Sequence, residues 1–190
     1  MRVIAGTARR LPLKTVPGMD TRPTTDRIKE TLFNILQNDI YECRFLDIFS
    51  GSGGIGIEAL SRGAVHACFI EQNKAAAQCI RENLTFTHLD AQADLLQCDV
   101  FSAFSRMAGQ APYQIVFMDP PYGKNLERDV LEYFSMHRPT FVNQETLFIA
   151  EASLGTDFSY ASQLGFEVVR VKEYKTNMHV FLKILEGERS

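Results

Sequence analysis

Four consecutive residues, Asp119-Pro120-Pro121-Tyr122, close the apolar run Ile115-Val116-Phe117-Met118 and carry the most specific chemistry in the chain. Two successive prolines lock the backbone and offer no N–H to a helix or a sheet ladder. They aim carbonyl groups into the crevice at the strand end. An exocyclic amine on a purine is a poor nucleophile, because its lone pair is delocalised into the ring. The Asp119 carboxylate and the Pro120 carbonyl can hold the hydrogens of such an amine, favouring a pyramidal nitrogen with its lone pair aimed at an electrophilic carbon. Tyr122 offers a flat face on which an extruded base can stack. Catalysis of this kind is positioning plus stabilisation of positive charge developing on nitrogen. Asp119, Pro120, Pro121 and Tyr122 are therefore the candidate catalytic residues.

A second constellation lies upstream. Phe45-Leu46-Asp47-Ile48-Phe49-Ser50-Gly51-Ser52-Gly53-Gly54-Ile55-Gly56 reads as a strand ending in a glycine-rich turn that opens a helix. Gly51, Gly53 and Gly56 match G-x-G-x-x-G, which alone fits a dinucleotide or any nucleoside-binding α/β turn. Gly51 and Gly53 let the backbone approach a ligand where a Cβ would collide, Ser50 beside them is a further candidate cofactor contact, and the helix start favours an anion. Asp47, just before the turn, would repel a pyrophosphate and welcome a cation, such as the methionine ammonium of S-adenosylmethionine. The next strand ends at Glu71, placed to accept hydrogen bonds from both ribose hydroxyls. The third ends at Asp99, which can accept from an adenine 6-amine, with the Val100 N–H serving the ring. Each acid alone is compatible with a surface or helix-capping role. Together, at the ends of three successive strands, they define a donor site. A sulfonium carries an activated methyl group, so no metal is required. A nicotinamide-dependent oxidoreductase explains only the three glycines and leaves Asp47 and Asp119–Tyr122 without a purpose. A non-catalytic RNA-binding module leaves the donor site unexplained.

These residues need a scaffold. Short apolar runs at Phe45–Phe49, Ala67–Ile70, Asp94–Cys98, Ile115–Met118 and Leu147–Ala150 read as strands, and the first four begin roughly 20–27 residues apart, as repeated βα units do. Helices are predicted over 54–62, 73–86, 100–107, 125–136 and 157–163. Another starts near Asp26, capped by Thr24 or Thr25, with an apolar stripe at Ile28, Leu32, Phe33, Ile35 and Leu36. Residues 1–18 read as short strands and turns. After Gly165, Phe166–Tyr174 and His179–Leu185 read as an antiparallel hairpin joined by Lys175-Thr176-Asn177-Met178. The fold class is α/β, a mostly parallel sheet closed by this hairpin.

Charge is distributed unevenly. The chain of 190 residues has a net charge of −3, yet residues 1–30 hold seven Lys/Arg against three Asp/Glu, so this end is +4 and the remainder −7. A basic arm on an acidic body suggests a polyanion bound at one end. The bland alternative is a solvated tail. Cys43, Cys68, Cys79 and Cys98 form no C-x-x-C pair and read as buried, reduced thiols. The four histidines show no metal-ligand spacing, and no metal is expected. No apolar run is long enough to cross a membrane and no signal peptide is visible, which points to the cytoplasm.

Arg22-Pro23-Thr24-Thr25-Asp26-Arg27 followed by Glu30-Thr31-Leu32-Phe33-Asn34 resembles the N-terminal signature of the RsmD family. Asp47 through Gly56, the continuation Glu58-Ala59-Leu60-Ser61-Arg62-Gly63-Ala64, and Asp119-Pro120-Pro121-Tyr122 fit the same family. The resemblance covers roughly residues 2–185, and 22–34 is its most discriminating part, since D-P-P-Y is shared with adenine-N6 methyltransferases acting on RNA or DNA. One departure is the early basic turn, Ala5-Gly6-Thr7-Ala8-Arg9-Arg10, which keeps only Gly6 where members often have glycines on both sides. The resemblance implies a Rossmann-like class I methyltransferase fold of seven strands with a short N-terminal extension. It further implies S-adenosylmethionine as donor and the N2 amine of a guanine in small-subunit ribosomal RNA as target, in the subunit or its assembly intermediate. Residues 1–25 are then expected to form an RNA-contacting arm and 26–190 the methyltransferase domain. Arg9, Arg10, Arg22 and Arg27 are the expected backbone contacts, and a monomer with no membrane partner is anticipated.

Overall fold

The computed structural model describes residues 1–16 and 26–185. They fall into two compact units, Met1–Ser105 and Arg106–Ser190. The strands make a seven-stranded sheet in the order β3-β2-β1-β4-β5-β7-β6, numbered along the chain as follows.

The first unit contains α1 (Asp26–Ile35), β1 (Arg44–Ile48), α2 (Gly54–Ser61), β2 (His66–Ile70), α3 (Lys74–Thr87) and β3 (Ala93–Leu96), with α4 (Val100–Arg106) at its end. β1 pairs parallel with β2, Leu46 opposite Cys68, and β2 pairs parallel with β3, Cys68 opposite Asp94. Buried on both faces, β1 and β2 need mostly apolar residues, and Phe45, Leu46, Ile48, Ala67, Cys68 and Phe69 supply them, with Asp47 the buried exception. The Asn73 side chain caps α3 by accepting from the N–H groups of Ala75 and Ala76.

Residues 1–16 are bound onto this unit as a strap. Val3 and Leu13 N–H groups donate to Leu11 and Met1 carbonyls, and Arg2 bridges Pro12. Val3, Ala8 and Leu13 are buried. The strap lies so close to α2 that a Cβ on Gly6, at φ +83°, would sit 1.7 Å from the Ser61 carbonyl oxygen. Glu58 on α2 accepts from the N–H groups of Ile4 (2.8 Å) and Ala5 (3.0 Å). The same carboxylate meets Lys29 at 3.2 Å and Arg62 at 2.8 Å, and the Lys29 and Glu58 side chains are fully buried. Lys29 also donates to the Arg2 carbonyl. One buried acid thus ties α1, α2 and the strap together.

The second unit contains β4 (Ile115–Met118), α5 (Leu126–His137), β5 (Leu147–Ser153), β6 (Phe166–Glu173) and β7 (Asn177–Ile184). β4 pairs parallel with β5, and β7 pairs antiparallel with both β5 and β6. Phe134 packs its ring against Phe141 and Phe148, and Phe148 against Phe166.

Four sequence expectations need correcting. The segment expected as a helix at 157–163 is a 3₁₀ run, Ser159–Leu164. Asn177 and Met178, expected in the hairpin turn, are buried strand residues that begin β7. β5 runs three residues past Ala150. Cys98 is half-exposed beyond the end of β3, whereas the other three thiols are buried. Burial pushes the Cys43 thiol up to about 12, so it is protonated and inert. Thr24, Thr25 and Arg22 lie outside the described residues. Among the described residues no helix is long and apolar enough to cross a membrane, and no cluster of three or more metal-binding side chains occurs.

Candidate functional site

In the first unit, the turn after β1 is built by backbone geometry. Gly51 (φ +55°) and Gly53 (φ +80°) lie in the left-handed region, where a side chain is strained. A Cβ on Gly51 would meet nothing within 4 Å, so this backbone is open to a ligand. Gly56 serves packing instead: a Cβ there would lie 2.3 Å from the Phe69 ring of β2.

Two acids frame the turn. Asp47 is only 2 % exposed, and its Oδ2 accepts from the Gly56 N–H at 2.9 Å. Burial pushes its carboxyl up to about 7, against the pull of the Gly56 N–H and with help from the negative charge of Glu71. Glu71 ends β2 and is also buried. Its Oε2 accepts from the Gly51 N–H at 2.9 Å and its Oε1 from the Asn73 N–H at 2.7 Å. Burial raises its pKa, opposed by those N–H groups and that of Gln72. A carboxylate has about four acceptor positions, so Glu71 can hold the turn and still receive two hydroxyls.

The remaining donor-site candidates divide. The Ser50 hydroxyl donates to the Asp47 carbonyl at 2.6 Å and accepts from the Ile70 N–H at 3.0 Å. It clasps the ends of β1 and β2, so its contribution is to shape. Asp99 is exposed and caps α4, accepting from the Ser102 N–H at 3.0 Å. Hydrogen bonds from Ser102 hold its pKa below the usual carboxylate range. Val100 is the first residue of α4, and N–H groups at that position have no acceptor within the helix. A residue not foreseen is Asn83 on α3. Its Nδ2 donates to the Ser52 carbonyl of the turn (2.9 Å) and to the Lys14 carbonyl of the strap (3.1 Å), and its Oδ1 accepts from the Lys14 N–H (2.8 Å).

In the second unit, Asp119-Pro120-Pro121-Tyr122 follows directly on β4. Asp119 is half-buried, Pro120 buried and Pro121 exposed. Tyr122 is 40 % exposed, yet its hydroxyl reaches inward to Glu151 Oε1 at 3.3 Å. Glu151, Asn177, His179 and Tyr174 were also missed from sequence. The available signals were an acid inside the apolar run Phe148–Ala152 and a histidine between Met178 and Val180.

Of the four arginines, Arg9 and Arg10 are exposed on the strap, Arg10 with φ +72°. Arg27 is exposed on α1. Asp26 pairs with Arg2 at 2.9 Å.

The strand order, the glycine-rich turn after β1 and the acid ending β2 are those of a class I methyltransferase fold. The Escherichia coli protein yhhF has the same fold, with a TM-score of 0.83 and 29 % identity over 97 % of this chain and 98 % of that one. A more distant structure, SMU.776 solved with SAH, gives a TM-score of 0.65 at 17 % identity over 82 % of this chain and 49 % of that one. The family model described as conserved hypothetical protein 95 matches residues 1–183. Ribosomal RNA small subunit methyltransferase D of Escherichia coli strain K12 is 39 % identical over 133 residues, which is 69 % of this chain and 65 % of that protein. The chain belongs to this family, the RsmD family.

Proposed function

We propose that the protein transfers a methyl group from S-adenosylmethionine to the exocyclic N2 amine of a guanine in small-subunit ribosomal RNA. The observation that carries the reading is the Asp119-Pro120-Pro121-Tyr122 turn directly after β4, in a chain of the RsmD family. The first unit's turn fits the donor: open backbone at Gly51, a carboxyl at Asp47 suited to an ammonium, and a second at Glu71 suited to ribose hydroxyls. Asp99 and the Val100 N–H would take the adenine. When bound, the donor supplies a methyl group already activated by a sulfonium.

The chain's own residues do the rest. Asp119 and the Pro120 carbonyl accept the hydrogens of the amine, which localises its lone pair. Asp119 then faces the positive charge that grows on nitrogen. The Tyr122 ring supports the base. Arg9, Arg10, Arg22 and Arg27 are proposed to take RNA phosphates, with residues 1–25 as the contacting arm.

The test is transfer of labelled methyl to small ribosomal subunits lacking the modification, followed by digestion to nucleosides. Label in N2-methylguanosine is expected. Label in N6-methyladenosine would move the activity to the other amine that D-P-P-Y motifs serve. Absence of label in any nucleoside would refute the reading.

A further inference from the structure

We infer that Glu151 is a positioning residue for the base-binding turn: its buried carboxylate, oriented by His179 and Asn177, holds the Tyr122 hydroxyl and so fixes the ring on which the target base stacks. This rests on the proposed role of Tyr122 as a stacking platform.

The placement follows from strand register. Glu151 lies in β5 directly opposite His179 of β7, and Ser153 opposite Asn177. Side chains two apart on a strand share a face, so Asn177 and His179 both reach the carboxylate. Asn177 Nδ2 donates to Oε1 at 2.6 Å, and His179 Nε2 meets Oε2 at 3.1 Å. The Tyr122 hydroxyl completes the set on Oε1 at 3.3 Å. Glu151 is 4 % exposed. An acid buried this deeply is costly unless its lone pairs are filled, and here three donors converge on it.

The donors are themselves oriented. The Tyr174 hydroxyl lies 3.0 Å from His179 Nδ1. One tautomer satisfies both bonds: Tyr174 donates to Nδ1, and the Nε2–H donates to Glu151. His179 is fully buried and its ring is met edge-on by Phe117 of β4, with centroids 5.9 Å apart. Phe117 precedes Asp119 by two residues, so the network is packed against the strand that carries the turn.

Asn177 gives the strongest sign of purpose. Its Oδ1 is buried without a hydrogen-bond partner. Rotating the amide would bring that oxygen against Glu151 Oε1, acceptor to acceptor. The amide is therefore held as a donor to Glu151, leaving one acceptor unpaired. Buried unpaired groups are uncommon and destabilising. Stability alone would favour apolar residues in this interior. The arrangement makes sense as a rigid mount for Tyr122, which is 40 % exposed and whose hydroxyl is tethered.

The test is a double-mutant cycle of Tyr122→Phe and Glu151→Gln in the methyl-transfer assay on small subunits, with donor binding by calorimetry and melting by circular dichroism. Tyr122→Phe keeps the ring at a part-exposed position and removes only the tether. It should lower kcat/KM for RNA roughly three- to tenfold, the scale of one lost hydrogen bond, mostly through KM. Glu151→Gln should do the same, and the double variant should be no worse than either single. Donor affinity should stay within about twofold of the parent in all three, since Glu151 acts only through Tyr122. Parent-like methylation by Tyr122→Phe would overturn the inference whatever happens to the Glu151 variant, as would additive losses. If the parent itself transfers no methyl to RNA, the proposed function fails and takes this inference with it. Activity in the parent with additive losses sinks the tether alone.

Discussion

Donor binding should tighten about fivefold between pH 6 and about pH 7.4, and Asp47→Asn should abolish most of that dependence. Burial pushes the Asp47 carboxyl up to about 7. Only the ionised form attracts an ammonium. About one molecule in ten carries it at pH 6 and about nine in ten at pH 8, so affinity rises by roughly a factor of ten per unit below pH 7 and then levels. The donor's own α-amino group loses its proton with a midpoint of about 7.7–8.0, so affinity peaks near pH 7.4 and turns down again above it. The same raised pKa acts on stability in the opposite sense. The free fold bears no penalty from Asp47 below its unfolded value of 3.8, and an increasing one as the pH climbs to about 7. At about 1.4 kcal/mol per unit the plateau is on the order of 4 kcal/mol. An ammonium bound at the carboxylate offsets it, so the thermal shift produced by the donor should be larger at pH 8 than at pH 6. The assay is calorimetry at several pH values in buffers of different ionisation enthalpy. Binding at pH 6 should release close to one proton. The asparagine variant keeps an acceptor for the Gly56 N–H, so the turn survives while the charge is lost. An affinity unchanged from pH 6 to 7.5, with no proton release, would show that Asp47 serves only the turn.

Other expectations concern single residues. Gly56→Ala places a Cβ 2.3 Å from the Phe69 ring and 3.1 Å from Asp47 Oδ2, and should cost about 1–3 kcal/mol in urea unfolding; unchanged stability would mean that α2 shifts freely. Lys29→Met removes the fully buried partner of Glu58 and should destabilise by about 3 kcal/mol, the low end for a broken buried pair, because Arg62 and two backbone N–H groups remain. A loss below about 1 kcal/mol would mean those groups alone satisfy the acid. Asp119→Ala should lower turnover at saturating donor by about two orders of magnitude with little change in donor affinity; normal turnover would remove the carboxylate from the chemistry. Arg9→Gln with Arg10→Gln should flatten the log–log salt slope of RNA binding by about two units, one per phosphate contact, without changing the melting temperature. A parent-like slope would detach the strap from the RNA.

What could be read from the sequence was what local pattern controls. β4 is legible to the residue because Pro120-Pro121 forbid its continuation, and the turn after β1 because the left-handed backbone at Gly51 and Gly53 favours glycine. The hairpin turn was misplaced because a polar Asn177 looks like a turn residue until its partner is known. That partner, Glu151, is 26 residues away. β5 was cut short for the same reason, since an acid after Ala150 reads as an end to burial. Short strands and turns are legible in residues 1–18, but their attachment is not: the strap's bonds to Glu58 and Ser61 span 53 to 56 residues, a distance over which periodicity says nothing. Lys29 sits beside an apolar stripe and betrays no burial, because its compensating acid lies on another helix.

The Asn83 amide links the strap to the glycine-rich turn. It joins Lys14, at the end of the strap, to Ser52, in the donor turn, through a single rigid side chain. If RNA binds the strap and the donor binds the turn, as proposed, the two sites share this side chain. Whatever factor RNA imposes on donor affinity, the donor must impose on RNA affinity in return, because the two paths to the ternary complex have the same total free energy.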